Sequence, residues 1–192
     1  MSNLHALVQH LVPKKELLYG ISANDLIDHV CTNRYNKEIY YKNDKEVFKK
    51  LPEVLQDIIL LIDLDTELNM NGLLGFAENS SGRYLDETIK VLERIGAVND
   101  ANALQEIKDI LKEYGASTHI LNHDIQLVQQ YEVQVFAQTH QIFDDEFYDR
   151  IQKAEEKLYV YANQGNVFDH LTVYIEANKK ELMDNIIVYL QK

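Results

Sequence analysis

Residues 66–82 read Thr66-Glu67-Leu68-Asn69-Met70-Asn71-Gly72-Leu73-Leu74-Gly75-Phe76-Ala77-Glu78-Asn79-Ser80-Ser81-Gly82. They decide the fold because they interrupt a helical pattern and then resume it. Upstream, Val54, Leu55, Ile58, Ile59, Leu61, Ile62 and Leu68 give a strongly apolar helix reaching about Asn69. Pro52 sits where a first-turn proline belongs. Asn69 to Gly75 breaks the pattern, a short helical turn follows over Leu73–Glu78, and Asn79-Ser80-Ser81-Gly82 ends it. Gly72 can take a positive φ between two helices. Asn69 and Asn71 can bond free backbone groups, as can Asn79, Ser80 and Ser81 at helix ends. The stretch therefore reads first as a shaped corner.

Helical patterns extend outward from this corner. Ser22 to Asp25 opens a helix reaching about Tyr35, with Leu26, Ile27 and Val30 on its apolar side. A basic, tyrosine-bearing segment follows from Lys37 to Lys50. Downstream, Leu85, Ile89, Leu92 and Ile95 mark a helix from Tyr84 to Ile95, with Gly96 as its C′ residue. Asn99 or Asp100 caps a helix from Ala101 to Tyr114, which Gly115 ends. His119–His140 reads as helix, although Tyr131–Phe136 also alternates like a strand. Asp144–Gln164 is the clearest helix, with Phe147, Ile151, Ala154, Leu158 and Tyr161 on one face and Asp144, Asp145 and Glu146 in its first turn. A final helix covers about Lys179 to Leu190. With two prolines, seven glycines and no linker or repeat, the chain is expected to form one all-α domain over 1–192.

Net charge is −12 over 192 residues, and residues 51–150 alone hold −13. That balance repels nucleic-acid phosphates and anionic lipid, and favours a partner with a basic surface. Acidic surfaces also serve solubility alone. Cys31 is the only cysteine, so no intrachain disulfide forms. Met1–Leu11 lacks the basic and apolar regions of a leader, and no apolar run approaches a membrane span. A soluble cytoplasmic protein is expected.

Two parts of the chain resemble a bacterial all-helical family of unknown function that includes an acidic DNA-mimic protein. The first is Glu67, Leu68, Asn69, Gly72, Phe76, Asn79, Ser80 and Gly82, then Leu92, Ile95, Gly96 and Ala97. The second is Phe143-Asp144-Asp145-Glu146-Phe147-Tyr148, with Tyr161-Ala162-Asn163 beyond it. The similarity spans about 51–163, between helices expected over 1–50 and the last helix at 179–190. Met70, Asn71, Leu73, Gly75 and Ala77 depart from the family pattern. The resemblance implies an all-helical fold and a non-catalytic role: carboxylates stand in for phosphates before the Lys and Arg of a DNA-binding protein.

The carboxylates that could do so are Asp63, Asp65, Glu67, Asp86, Glu87, Asp144, Asp145, Glu146 and Asp149. Asp63/Glu67 and Asp145/Asp149 are four apart, which puts each pair on one helix face despite like charge. An immunity- or antitoxin-like inhibitor of a basic toxin would share these electrostatics. Glu67 beside Asn69 and Asn79 could instead be an acid/base in a polar pocket, although a structural carboxylate fits that corner better. No phosphate-cradling glycine loop, nucleophile elbow or Cys–His spacing supports an enzyme. His119 and His123 have zinc-ligand spacing but no third ligand, and Asp63–Glu67 lacks the glycine and closing glutamate of a calcium loop, so no metal or cofactor is expected. The Lys37–Lys50 segment with Tyr40 and Tyr41 would suit an acidic surface, including a second copy in a symmetric dimer.

Overall fold

The computed structural model describes residues 3–34, 45–122, 143–162 and 165–191. Among them every regular element is helical, so the all-α class holds. The elements are α1 (Asn3–Leu11), α2 (Ala23–Asn33), α3 (Lys45–Phe48), α4 (Glu53–Glu78), α5 (Leu85–Ile95), α6 (Val98–Glu113), α7 (Asp145–Glu155), α8 (Val167–Ala177) and α9 (Lys179–Leu190), with 3-10 turns at Lys15–Leu17 and Ser80–Tyr84. Residues 118–122 are also helical. The Tyr35 end of the helix expected after Ser22, Tyr40, Tyr41 and nearly all of the His119–His140 segment, His123 included, lie outside the described residues.

Two compact units make up the chain. One comprises residues 1–62 and 168–192, the other residues 63–167. In the first, α1 packs on α2 and α9. Its core holds Leu7, Val8, Leu11, Leu26, Val30, Ile58, Leu171, Met183 and Ile186, each no more than 1% exposed. Ser22 caps α2 by accepting the Asp25 N–H at 3.1 Å. The α8 carboxylate of Glu176 accepts the Ala23 N–H at 2.6 Å, so the same helix end is also capped from a distant part of the chain. That bond holds the Glu176 carboxyl below its usual range. Sequence periodicity had not marked α8, although Val167, Leu171 and Ile175 are its buried stripe.

In the second unit α5 packs against α6, and α6 against α7. Leu92, Leu104, Ile107, Leu111, Phe147, Ala154 and Leu158 are buried there. Phe147 stacks on Phe143 with ring centroids 4.0 Å apart, and the Tyr114 ring meets Phe147 edge-on at 5.0 Å. Gly96 ends α5 in the left-handed region, as expected.

Three expectations change. The helix after Gly96 begins at Val98, and neither Asn99 nor Asp100 supplies its side-chain cap. Asp100 is buried and accepts the Tyr159 N–H at 2.8 Å instead. The helix expected to reach Gln164 stops at Glu155, where the chain turns so that Tyr159 and Tyr161 can reach α4.

Candidate functional site

The corner is built on Gly72. Its φ of 69° and ψ of −173° fall in a region open essentially to glycine alone. This ψ swings the Gly72–Leu73 peptide out of the helical ladder. The freed Leu73 N–H then donates to the Glu155 carboxylate at 2.9 Å. A Cβ on Gly72 would lie 2.8 Å from the same oxygen. Before the break, the Tyr161 hydroxyl donates to the Leu68 carbonyl at 2.9 Å and the Tyr159 hydroxyl to Asp65 at 2.5 Å. Burial, and then the bond to Asp65, push the Tyr159 phenol far above its usual range.

Glu67 lies inside this construction. Its Oε2 accepts from Asn79 at 2.7 Å and from Asn71 at 3.0 Å, and its Oε1 from Ser81 at 3.3 Å. The carboxylate thus holds two side-chain amides and a hydroxyl rather than backbone N–H groups. Asn69 donates to the Asp65 carbonyl at 2.8 Å. Gly82 closes the turn, where a Cβ would fall 2.4 Å from the Ala77 carbonyl oxygen. Glu155, Tyr159 and Tyr161 complete the corner, and no local sequence signal marked them for it.

The nine candidate carboxylates do not share one environment. Asp63 is only 4% exposed, which leaves it little surface to present. Asp65 and Glu67 are half-buried and committed to the bonds above. Asp86 on α5 is exposed but pairs with Lys108 at 2.7 Å, and Glu87 beside it is half-buried. The other four come together at the start of α7.

Asp144 is the N-cap of α7. It accepts the Phe147 N–H at 2.9 Å and the Tyr114 hydroxyl at 3.1 Å. The Phe147 bond, the largest influence, holds its carboxyl below the usual range. Asp145, Glu146 and Asp149 follow, all exposed. Two nearby cations are engaged elsewhere, and Lys153 on α7 stands one turn from Asp149 without pairing with it among the described residues. Arg150 pairs with Glu113 of α6 at 2.6 Å, and Lys157, just beyond α7, with Glu106 of α6 at 2.5 Å. Among the described residues, Asp145, Glu146 and Asp149 have no ion-pair partner. Their charge projects outward from a helix whose buried side is fixed by Phe147, Ile151 and Ala154.

Among the described residues no group of three or more His, Cys, Asp or Glu side chains could hold a metal ion, and no helix is long and apolar enough to cross a membrane. A family model described as DMP19-like protein matches residues 49–178, more than half of the chain. No curated protein and no solved structure matches it.

Proposed function

Because this chain belongs to the DMP19-like protein family, a family of DNA mimics, we propose that it acts without catalysis, by presenting carboxylates to the DNA-binding face of a basic protein. The observation that supports this reading most directly is the unpaired acidic start of α7. Among the described residues Asp145, Glu146 and Asp149 are exposed and have no ion-pair partner, and Asp144 anchors them to the helix end. A row of fixed carboxylates offers a Lys- or Arg-lined groove the same charge-assisted hydrogen bonds as phosphate oxygens do. Fixing the helix in advance lowers the ordering cost of binding.

Of the nine carboxylates, those on α7 are the ones with surface and charge to spare. Asp86 contributes a partly neutralised charge, and Asp63, Asp65 and Glu67 serve the fold. Partner identity separates a regulator's DNA-binding face from a basic toxin.

The test is affinity capture on the immobilised full-length chain from the source cytosol, eluted in salt steps and read by mass spectrometry. The expected result is a DNA-binding protein that leaves at moderate salt and is competed off by duplex DNA. A captured basic protein indifferent to duplex DNA would indicate the toxin-inhibitor reading. Absence of any basic partner would overturn the proposal.

A further inference from the structure

Asn71-Gly72 is the only Asn-Gly pair in the sequence. The amide carbon of an asparagine side chain lies within reach of the next residue's backbone nitrogen, and the side chain on that next residue is what hinders their approach. Glycine has no Cβ and leaves the approach open. Every other asparagine of the chain is followed by a residue that carries a Cβ. Gly72 is at the same time demanded by the corner, because its φ is 69° and a Cβ there would meet Glu155. The fold therefore keeps, at its break, the dipeptide most open to attack from within the chain.

The local structure leaves this dipeptide accessible. Asn71 is exposed. Gly72 stands where the helical ladder ends, since its ψ of −173° has already turned the Leu73 N–H away to Glu155. A residue at the end of a ladder opens without disturbing the turns before it. The Leu68 carbonyl, four residues before Gly72 and so the helical acceptor position for its N–H, takes the Tyr161 hydroxyl at 2.9 Å. The Asn71 side chain donates through Nδ2 to Glu67 at 3.0 Å. A Cβ on Gly75 would collide with the Asn71 Cβ, so Asn71 is packed closely against the restarted helix as well as tied to the carboxylate.

We propose that Asn71 is a site of spontaneous modification, converted in the folded protein to aspartyl and isoaspartyl forms, and that the conversion loosens the corner. The Gly72 nitrogen attacks Asn71 Cγ and forms a bond to it. The Cγ–Nδ2 bond breaks, and ammonia leaves with the proton given up by the Gly72 nitrogen. Water then opens the cyclic imide. Attack at Cγ leaves an aspartyl residue, and attack at the main-chain carbonyl carbon leaves an isoaspartyl one. Water is taken up and ammonia released, with no oxidation or reduction. The aspartyl form sets a second carboxylate against Glu67 where an amide donated before, an acceptor opposite an acceptor of like charge. The isoaspartyl form runs the main chain through Cβ and Cγ, which lengthens it by a methylene where the Asn71 Cβ is packed against Gly75. Neither product needs a protein partner, so the site stands or falls separately from the role of the α7 carboxylates.

The test incubates the full-length protein in mildly alkaline buffer, with and without urea, and digests samples at intervals for peptide mass spectrometry. The exchange of NH2 for OH is located by fragmentation, and the isoaspartyl form is separated by chromatography. In the folded protein the change is expected at Asn71 at least about 10-fold faster than at Asn69 or Asn79, whose following residues carry a Cβ. Its rate is expected to lie within about 100-fold of the rate in urea, because local opening suffices. A reaction confined to globally unfolded molecules would be slower by about 10³-fold or more. Asn71→Asp, which makes one product outright, is expected to melt below the wild type. No change at Asn71, an equal rate at Asn79, or a folded-state rate suppressed by the global factor would overturn the site. An unaltered melting temperature in Asn71→Asp would overturn its effect on the corner.

Discussion

Glu155 accepts the Leu73 N–H at 2.9 Å although the two residues lie 82 positions apart. The carboxylate plays the part of an N-cap for the helical segment that restarts after Gly72, supplied from a distant helix instead of the preceding residue. Glu155→Ala should therefore lower unfolding free energy by roughly 1–2 kcal/mol. Glu155→Gln, which keeps an acceptor oxygen, should lose less. Urea denaturation of the three proteins gives the comparison, and equal loss in both variants would remove the capping role.

Gly72→Ala meets two obstacles at once, a backbone region closed to side chains and the Glu155 oxygen at 2.8 Å. The second is the flexible end of a side chain and can give way, so the backbone dominates. A loss of about 1–3 kcal/mol is expected. A double variant with Glu155→Ala would recover almost none of it if strain is the cause, and most of it if contact is. Thermal melts of the single and double variants decide between the two.

Tyr159 gives an alkaline signature. Its folded pKa is raised above the unfolded value of about 10, so its contribution is complete below that pH and is lost as pH rises beyond it. Melting temperature should fall above about pH 10. In Tyr159→Phe it should start lower at neutral pH, because Asp65 loses the shorter of its two side-chain donors, but decline less steeply with alkali. Tyr161 and Tyr114 are also raised, so the slope shrinks without vanishing.

Asp144 gives the acid counterpart. Its folded pKa is depressed, so its contribution is present above the unfolded value of about 3.9 and disappears as pH falls through the folded value. Asp144→Ala should lower the melting temperature at neutral pH and flatten the acid limb of a melting-temperature profile. Asp144→Asn, which retains the cap, should keep most of the neutral stability and flatten the acid limb, which Glu176 and Glu113 keep from vanishing.

Replacing Asp145, Glu146 and Asp149 together by Asn, Gln and Asn should change stability by no more than about 0.5 kcal/mol, because none of the three has an ion-pair partner among the described residues. Binding to the basic partner should weaken, and its dependence on salt should become shallower. Affinities of the wild type and the triple variant at two ionic strengths measure both effects. Unchanged binding would take this surface out of the proposed function.

The sequence made its periodic elements legible and its polar long-range contacts illegible. Leu85, Ile89, Leu92 and Ile95 announced α5 because a buried stripe needs only local spacing. Gly72 and Gly82 announced the corner because each answers a local backbone demand. Asp100 misled for the same reason. At the start of a helix it resembles a cap, and its use by Tyr159 depends on how a distant segment returns. Tyr161 fits a helical face by spacing, but in the structure it lies beyond the end of α7 and faces α4. The acidic list failed to sort itself because periodicity assigns a face and not its exposure. Asp63 and Asp145 each belong to an i, i+4 pair, yet one is buried and the other is exposed.

The break at Gly72 also binds together the histories of distant positions. A lineage that replaced the glycine with an ordinary helix former would straighten the chain, and Leu73 would find its partner within its own helix. Glu155 would then be released from its task and free to drift. Conversely, a lineage that first lost Glu155 would favour a straightened helix. Positions 72 and 155 are therefore expected to change as a pair among descendants of this fold, even though neither belongs to the acidic start of α7.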